Sequence, residues 1–258
     1  MKEVINKKHT GLTSPFITSY LVGGYPTREK SIQIMKKAAD SGLNAIEIGF
    51  PSKNPYLDGD IIKSAHQEAK DVFSSLDDFI DYLKDVRKAI SIPIWIMGYV
   101  NDLIHEDTYL KLAKSSYIDG FIIPDLELKQ SVEVQQHLDE TGVKIIPVIN
   151  NEMTDEDIHI LVKNKEVVYC QLYAGKTGHK LTNTDNLPAF YKRMRQLTNA
   201  KLMAGFGIKN QAIAEDIFSV GYDGIVVGSE FVRLVAADNE PALYQFIGEL
   251  VQAKKKWG

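Results

Sequence analysis

The feature that most constrains this chain is an unbroken alternation of short apolar runs with amphipathic helical stretches, carried from one end to the other. The apolar runs fall at 16–21, 45–50, 94–99, 121–125, 144–149, 167–172, 201–205 and 224–227. Several are rich in Ile and Val, as strands buried on both faces should be. Between them the period changes. In 30–40, Ile32, Ile34, Met35, Ala38 and Ala39 form one stripe while Lys36 and Lys37 face out. Gly42, Gly120, Gly142 and Gly221 each follow a helical stretch, where a left-handed cap wants no Cβ. Asp102 and Asp155 read as N-caps. Eight strand–helix pairs with no linker rich in Pro, Gly or Ser predict one (β/α)8 TIM-barrel domain over 1–258, near the ~250 residues such barrels take. An open doubly wound sheet is the alternative. Against it, the first strand runs into Gly23-Gly24-Tyr25-Pro26 rather than a Gly-x-Gly-x-x-Gly turn.

Composition narrows the function classes. With 44% hydrophobic and 25% charged residues the chain has enough apolar area to fold. Thirty Lys and Arg against 34 Asp and Glu leave a net charge of −4, which argues against a nucleic-acid partner. The single cysteine, Cys170, makes neither an internal disulfide nor a thiolate zinc cage and suits a reducing compartment. There is no signal-peptide core and no run of the ~18 apolar residues that a membrane span needs. The expectation is a soluble, cytoplasmic, enzyme-sized barrel with no membrane partner.

On a barrel, chemistry sits at the carboxyl ends of the strands. In 45–50, Ile46, Ile48 and Phe50 take one face, so Ala45, Glu47 and Gly49 take the other. The large apolar set belongs against the helices, which turns Glu47 into the barrel near its mouth. A carboxyl there is either ion-paired or raised in pKa, as a proton donor near neutrality must be. Lys144 and Lys201, the inward basic candidates, lie at strand starts on the opposite rim. Asp58 follows on the long loop after the same strand. Two carboxylates in unlike surroundings can divide acid/base and electrostatic duties.

Glycine-bearing turns follow strands six, seven and eight. They are Gly175-Lys176-Thr177-Gly178, Gly205-Phe206-Gly207 and Gly228-Ser229. Main-chain N–H groups at helix starts on adjacent loops form an anion site, which points to a phosphorylated ligand. Tyr20, Met97, Tyr99, Ile122, Tyr169 and Phe206 lie near strand ends, as core or as walls for a flat aromatic ligand. The six histidines are scattered, and only His179 falls on a loop of the expected catalytic face. A metal site is therefore not expected. Lys53 and Lys176 sit on loops, unlike a desolvated Schiff-base lysine.

These residues resemble the tryptophan synthase alpha-subunit family over nearly the whole length. The most specific match is Ile46-Glu47-Ile48-Gly49-Phe50-Pro51 followed by Pro55-Tyr56-Leu57-Asp58-Gly59. Support comes from 19–26, Pro124-Asp125-Leu126, 175–178, 205–208 and 228–229. The resemblance implies cleavage of indole-3-glycerol phosphate to indole and glyceraldehyde 3-phosphate, with no metal or organic cofactor. It implies Glu47 as the acid/base, Asp58 as acceptor of the indole N–H, and Tyr169 beside the scissile bond. Gly178, Gly207, Gly228 and Ser229 would hold the phosphate, and Thr177, in the same turn as Gly178, would contact the substrate. It also implies a beta-subunit partner in an α2β2 complex, docking on the loops after strands two to four. Departures cluster there. Asn54 replaces a carboxylate, Glu127 replaces a proline, and Lys53 and Asp60 flank Asp58, so the departures bear on beta-subunit coupling and on substrate choice. The alternatives are a related phosphosugar barrel acting on another substrate, and a non-catalytic phosphate-ligand barrel.

Overall fold

The computed structural model describes residues 12–171, 186–205 and 207–258. The chain opens with β1 (Phe16–Val22), α1 (Arg28–Asp40), β2 (Ala45–Gly49), α2 (Asp60–Ala69) and α3 (Leu76–Ala89). It continues with β3 (Ile94–Met97), α4 (Val100–Leu103), α5 (Thr108–Lys114), β4 (Gly120–Ile122) and α6 (Leu128–Leu138). Next come β5 (Lys144–Ile145), β6 (Val148–Asn150), α7 (Asp155–Val162), β7 (Val167–Gln171) and α8 (Leu187–Leu197). Last are β8 (Lys201–Ala204), α9 (Gln211–Val220), β9 (Gly224–Val227), α10 (Ser229–Ala236) and α11 (Glu240–Lys255).

Every strand pairing is parallel, in the order β5-β4-β3-β2-β1-β9-β8-β7-β6. The two ends of that order are halves of the fifth expected strand, parted only by Ile146 and Pro147. The Ile146 N–H donates to the Phe121 carbonyl on one side, and the Tyr169 N–H donates to the Pro147 carbonyl on the other. The fifth strand thus closes the ring by changing partner at a proline, which has no N–H to give. The fold is a TIM barrel.

The pleat sorts side chains as the alternation requires. Phe16, Ala45, Trp95, Ile122, Ile146, Met203 and Val226 form one buried cluster inside the barrel. Ile46, Ile48, Ile94 and Ile96 join the larger core against the helices. Helix starts are fixed locally. Thr27, Ser75, Thr154, Asn210 and Asn239 accept main-chain N–H groups as N-caps. Two expected caps are displaced by short steps: Asp155 is the first residue of α7, behind Thr154, and Asp102 lies within α4, behind Tyr99. Gly42, Gly142 and Gly221 have positive φ, whereas Gly120 opens β4 instead of capping a helix.

One device recurs on the rim opposite the mouth. Asn44, Asp119 and Asp223 each immediately precede a strand and face Ile17, Ile94 and Leu202 on its neighbour. Each donates its own N–H to the facing carbonyl and accepts the facing N–H on its side chain. Each also binds a cation from a helix: Lys254 (2.9 Å), Arg87 (2.6 Å) and Arg195 (2.7 Å) respectively. These clamps set the register of the strands that carry the mouth.

Candidate active site

β2 delivers Glu47 to the mouth between Tyr20 of β1 and Trp95 of β3, its register partners. The side chain is 2% exposed. No partner lies within hydrogen-bonding reach of its Oε1 among the described residues. Burial without a compensating donor disfavours the charged form, and it pushes this carboxyl from 4.5 to about 8. Near neutrality Glu47 therefore carries its proton.

Asp58 reaches the same space from the loop after β2. That loop is wound tightly: the Tyr56 N–H donates to the Asn54 carbonyl and the Asp58 N–H to that of Pro55. Asp58 is 1% exposed, and Tyr99 Oη donates to its Oδ2 at 2.7 Å. Burial first, then the Asp58 charge, pushes the Tyr99 phenol far up, so it remains a donor. Tyr20 and Tyr169 are likewise pushed up by burial and by the fields of both carboxylates, which places both phenols beside the pair. Their hydroxyls fit only because two strand ends lack a Cβ. One built on Gly49 would lie 2.3 Å from Tyr20 Oη, and one on Gly205 would lie 2.1 Å from Tyr169 Oη.

The remaining expected residues divide by position. Met97 and Ile122 are register partners on β3 and β4 and pack with the interior cluster. Gly228 holds the N-cap position of α10, Ser229 is its first residue, and Gly207 takes a left-handed φ of 64° after β8. Among the described residues a Cβ on Gly228 would meet only Tyr20 Cβ, at 3.9 Å, so its bare face opens toward the mouth. Thr177, Gly178 and Phe206 lie outside the described residues.

Sequence reasoning missed two groups. His66, set aside among scattered histidines, is 2% exposed on the Ile62, Ala65, Ala69 face of α2. Its Nε2 lies 3.1 Å from Tyr20 Oη and 3.6 Å from Asp58 Oδ2. A histidine on an otherwise apolar helix stripe was the available signal. Tyr56 Oη donates to Asp125 Oδ2 at 3.0 Å, and Asp125 also accepts the Val100 N–H. Loops after β2, β3 and β4 are thereby tied together. Glu127, in place of a proline, is the N-cap of α6 in a capping box, its N–H donating to Gln130 Oε1. A proline there could not donate.

A (β/α)8 barrel that brings a buried carboxyl raised in pKa, a second buried carboxyl and a helix N-terminus to one mouth has the class of arrangement that can transfer a proton beside a bound anion. A sequence model of the family described as Tryptophan synthase alpha chain matches residues 6–256. The chain belongs to that family, one of lyases that cleave indole-3-glycerol phosphate. It is 31% identical to the tryptophan synthase alpha chain of Phocaeicola vulgatus, over 90% of this chain and 91% of that one. It is 28% identical to the tryptophan synthase of Saccharomyces cerevisiae over 92% of its length, and spans 34% of that longer protein. In fold it is similar to a chain of the tryptophan synthase α2β2 complex from Pyrococcus furiosus, with a TM-score of 0.80 at 23% identity, covering 94% of this chain and 100% of that one. Among the described residues no helix is long and apolar enough to cross a membrane.

Proposed function

We propose that this chain, working as one cytoplasmic barrel domain, cleaves indole-3-glycerol phosphate to indole and glyceraldehyde 3-phosphate. The observation that carries the assignment of roles is the Glu47 carboxyl, buried, unpartnered at Oε1 among the described residues and raised to about 8. Such a group gives up a proton near neutrality and takes one back. Glu47 donates to indole C3, and the ring becomes a cation with charge on its N–H. Asp58 accepts that N–H as a charge-assisted hydrogen bond. Glu47, now a carboxylate, takes the proton from the hydroxyl on the side-chain carbon bonded to C3. That carbon becomes the aldehyde as the C–C bond breaks, and the electron pair returns to the ring, which leaves as neutral indole.

Tyr20, Met97, Tyr99, Ile122, Tyr169 and Phe206 wall the ring. Main-chain N–H groups at Gly228 and Ser229, with Gly207 and Gly178, hold the phosphate, and Thr177 contacts the substrate beside them. Every step is assigned to side chains, with no role for a metal or organic cofactor.

A beta subunit forming an α2β2 complex is the proposed partner, docking on the loops after β2 to β4. Asn54 and Glu127 are both exposed there. With Glu127 committed to capping α6, its carboxylate brings a desolvation cost to a docking patch. The test is indole release from indole-3-glycerol phosphate by the chain alone and with the beta subunit from the same source. Indole release supports the lyase, and stimulation on the order of tenfold or more supports the partnership. No indole in either arm rejects the assignment.

A further inference from the structure

We propose that His66 is a positioning residue for this reaction, fixing the Tyr20 hydroxyl and the wall of the Asp58 carboxylate through a single enforced tautomer. The inference rests on the lyase reading above and extends it to a side chain outside the catalytic pair.

One partner of the His66 ring is a donor that cannot accept. The main-chain N–H of Ser52 points at His66 Nδ1 at 3.1 Å. Nδ1 must therefore present its lone pair, and the ring proton resides on Nε2. Nε2 faces Tyr20 Oη at 3.1 Å and Asp58 Oδ2 at 3.6 Å. The nearer oxygen takes the hydrogen bond, so the Tyr20 hydroxyl is an acceptor from His66. Its own hydrogen is then turned away from α2, within a mouth that it shares with Glu47, Asp58 and Tyr99.

Ser52 is itself held. Its hydroxyl bonds the Asp102 carboxyl and accepts the Asn54 N–H at 3.2 Å. Ser52, His66 and Asp58 are each no more than 3% exposed, so water does not substitute for a lost partner without cost. The loop that carries Asp58, the helix after it and β1 are thus keyed to one another by one imidazole.

The experiment compares His66→Leu, which removes both ring contacts, with His66→Gln, which keeps an N–H near the Nε2 position. On the reading proposed, His66→Leu lowers kcat about tenfold or more with KM changed less than about threefold, and His66→Gln recovers most of the loss. In a Tyr20→Phe background the His66→Leu effect shrinks to about threefold or less, because the two act through one contact. A His66→Leu enzyme with unchanged kcat overturns the proposal, as does an undiminished effect in the Tyr20→Phe background. If His66→Leu does not fold, long-range proton–nitrogen NMR of the unmodified protein decides. The Nε2–H tautomer is expected, and an Nδ1–H ring or an imidazolium overturns it. That spectrum needs no substrate. Absence of indole release by the unmodified enzyme would reject the lyase reading and leave the tautomer result standing separately.

Discussion

Replacing Glu47 with Gln should stabilise the protein while disabling it, and the stabilisation should grow with pH. The side chain is buried, and its carboxyl is raised from 4.5 to about 8 by desolvation. Between those two values the unfolded chain has lost this proton while the folded chain keeps it. Folding therefore binds a proton, so stability is greatest below 4.5 and is lost progressively as pH rises to about 8. At about 1.4 kcal/mol per unit, the loss from this one group amounts to roughly 4–5 kcal/mol. Gln is close to isosteric and does not titrate. All other groups titrate in both proteins and cancel in the difference. The assay is urea unfolding of the wild type and Glu47→Gln at pH values from below 4.5 to above 8. The gap should be small at the acid end, widen through the interval and level off at the alkaline end. Parallel stability curves would refute the reasoning, because they would mean that Glu47 ionises in the fold as freely as in the unfolded chain. Turnover should also fall as pH rises through about 8, since the protonated form begins the reaction.

Asp58→Asn should lower the chemical step on the order of 10²-fold or more while binding of a non-cleavable phosphate analogue stays close to wild type, read by single-turnover kinetics and titration. Gly228→Val places its first added atom, among the described residues, in ordinary contact with Tyr20 Cβ alone, at 3.9 Å. It should raise KM for the phosphorylated substrate by on the order of tenfold, the worth of a charge-assisted hydrogen bond, with less effect on free indole. Equal weakening of both ligands would make Gly228 a packing residue. Asp119→Ala takes the carboxylate from the Arg87 guanidinium, 8% exposed, leaving it the Tyr117 and Ile92 carbonyls, and should cost about 3 kcal/mol in urea unfolding. Asp223→Ala should cost less, because its partner Arg195 is 26% exposed.

The barrel was legible because its strands are buried on both faces and announce themselves as apolar runs; β9 falls at the expected 224–227. Glu47 was legible for a related reason. Period-two alternation puts a lone carboxylate among small residues on the inward face, and the interior cluster containing Ala45 follows that pleat. The break between β5 and β6 was not legible, since Ile146-Pro147 reads as a continuation until the partner exchange is seen. His66 was hidden by distance in sequence. It meets Tyr20 across 46 residues, and only the docking of α2 on β1 brings them together. The paired functions of Asn44, Asp119 and Asp223 were hidden likewise, because each depends on strand register as well as on its own residue type. The capping role of Glu127 was not read, although Gln130 three residues on is its local signal.

The central claim is that a protonated Glu47 delivers its proton to indole C3. The most direct measurement is cleavage of indole-3-glycerol phosphate by the isolated chain in heavy water, with products quantified for the wild type and Glu47→Gln. The account predicts indole and glyceraldehyde 3-phosphate in equal amounts, one solvent deuteron at C3 of the indole, and a Glu47→Gln enzyme slowed at least ~10²-fold that still binds substrate. Indole formed by Glu47→Gln at the wild-type rate, or no indole from the wild type, would contradict it.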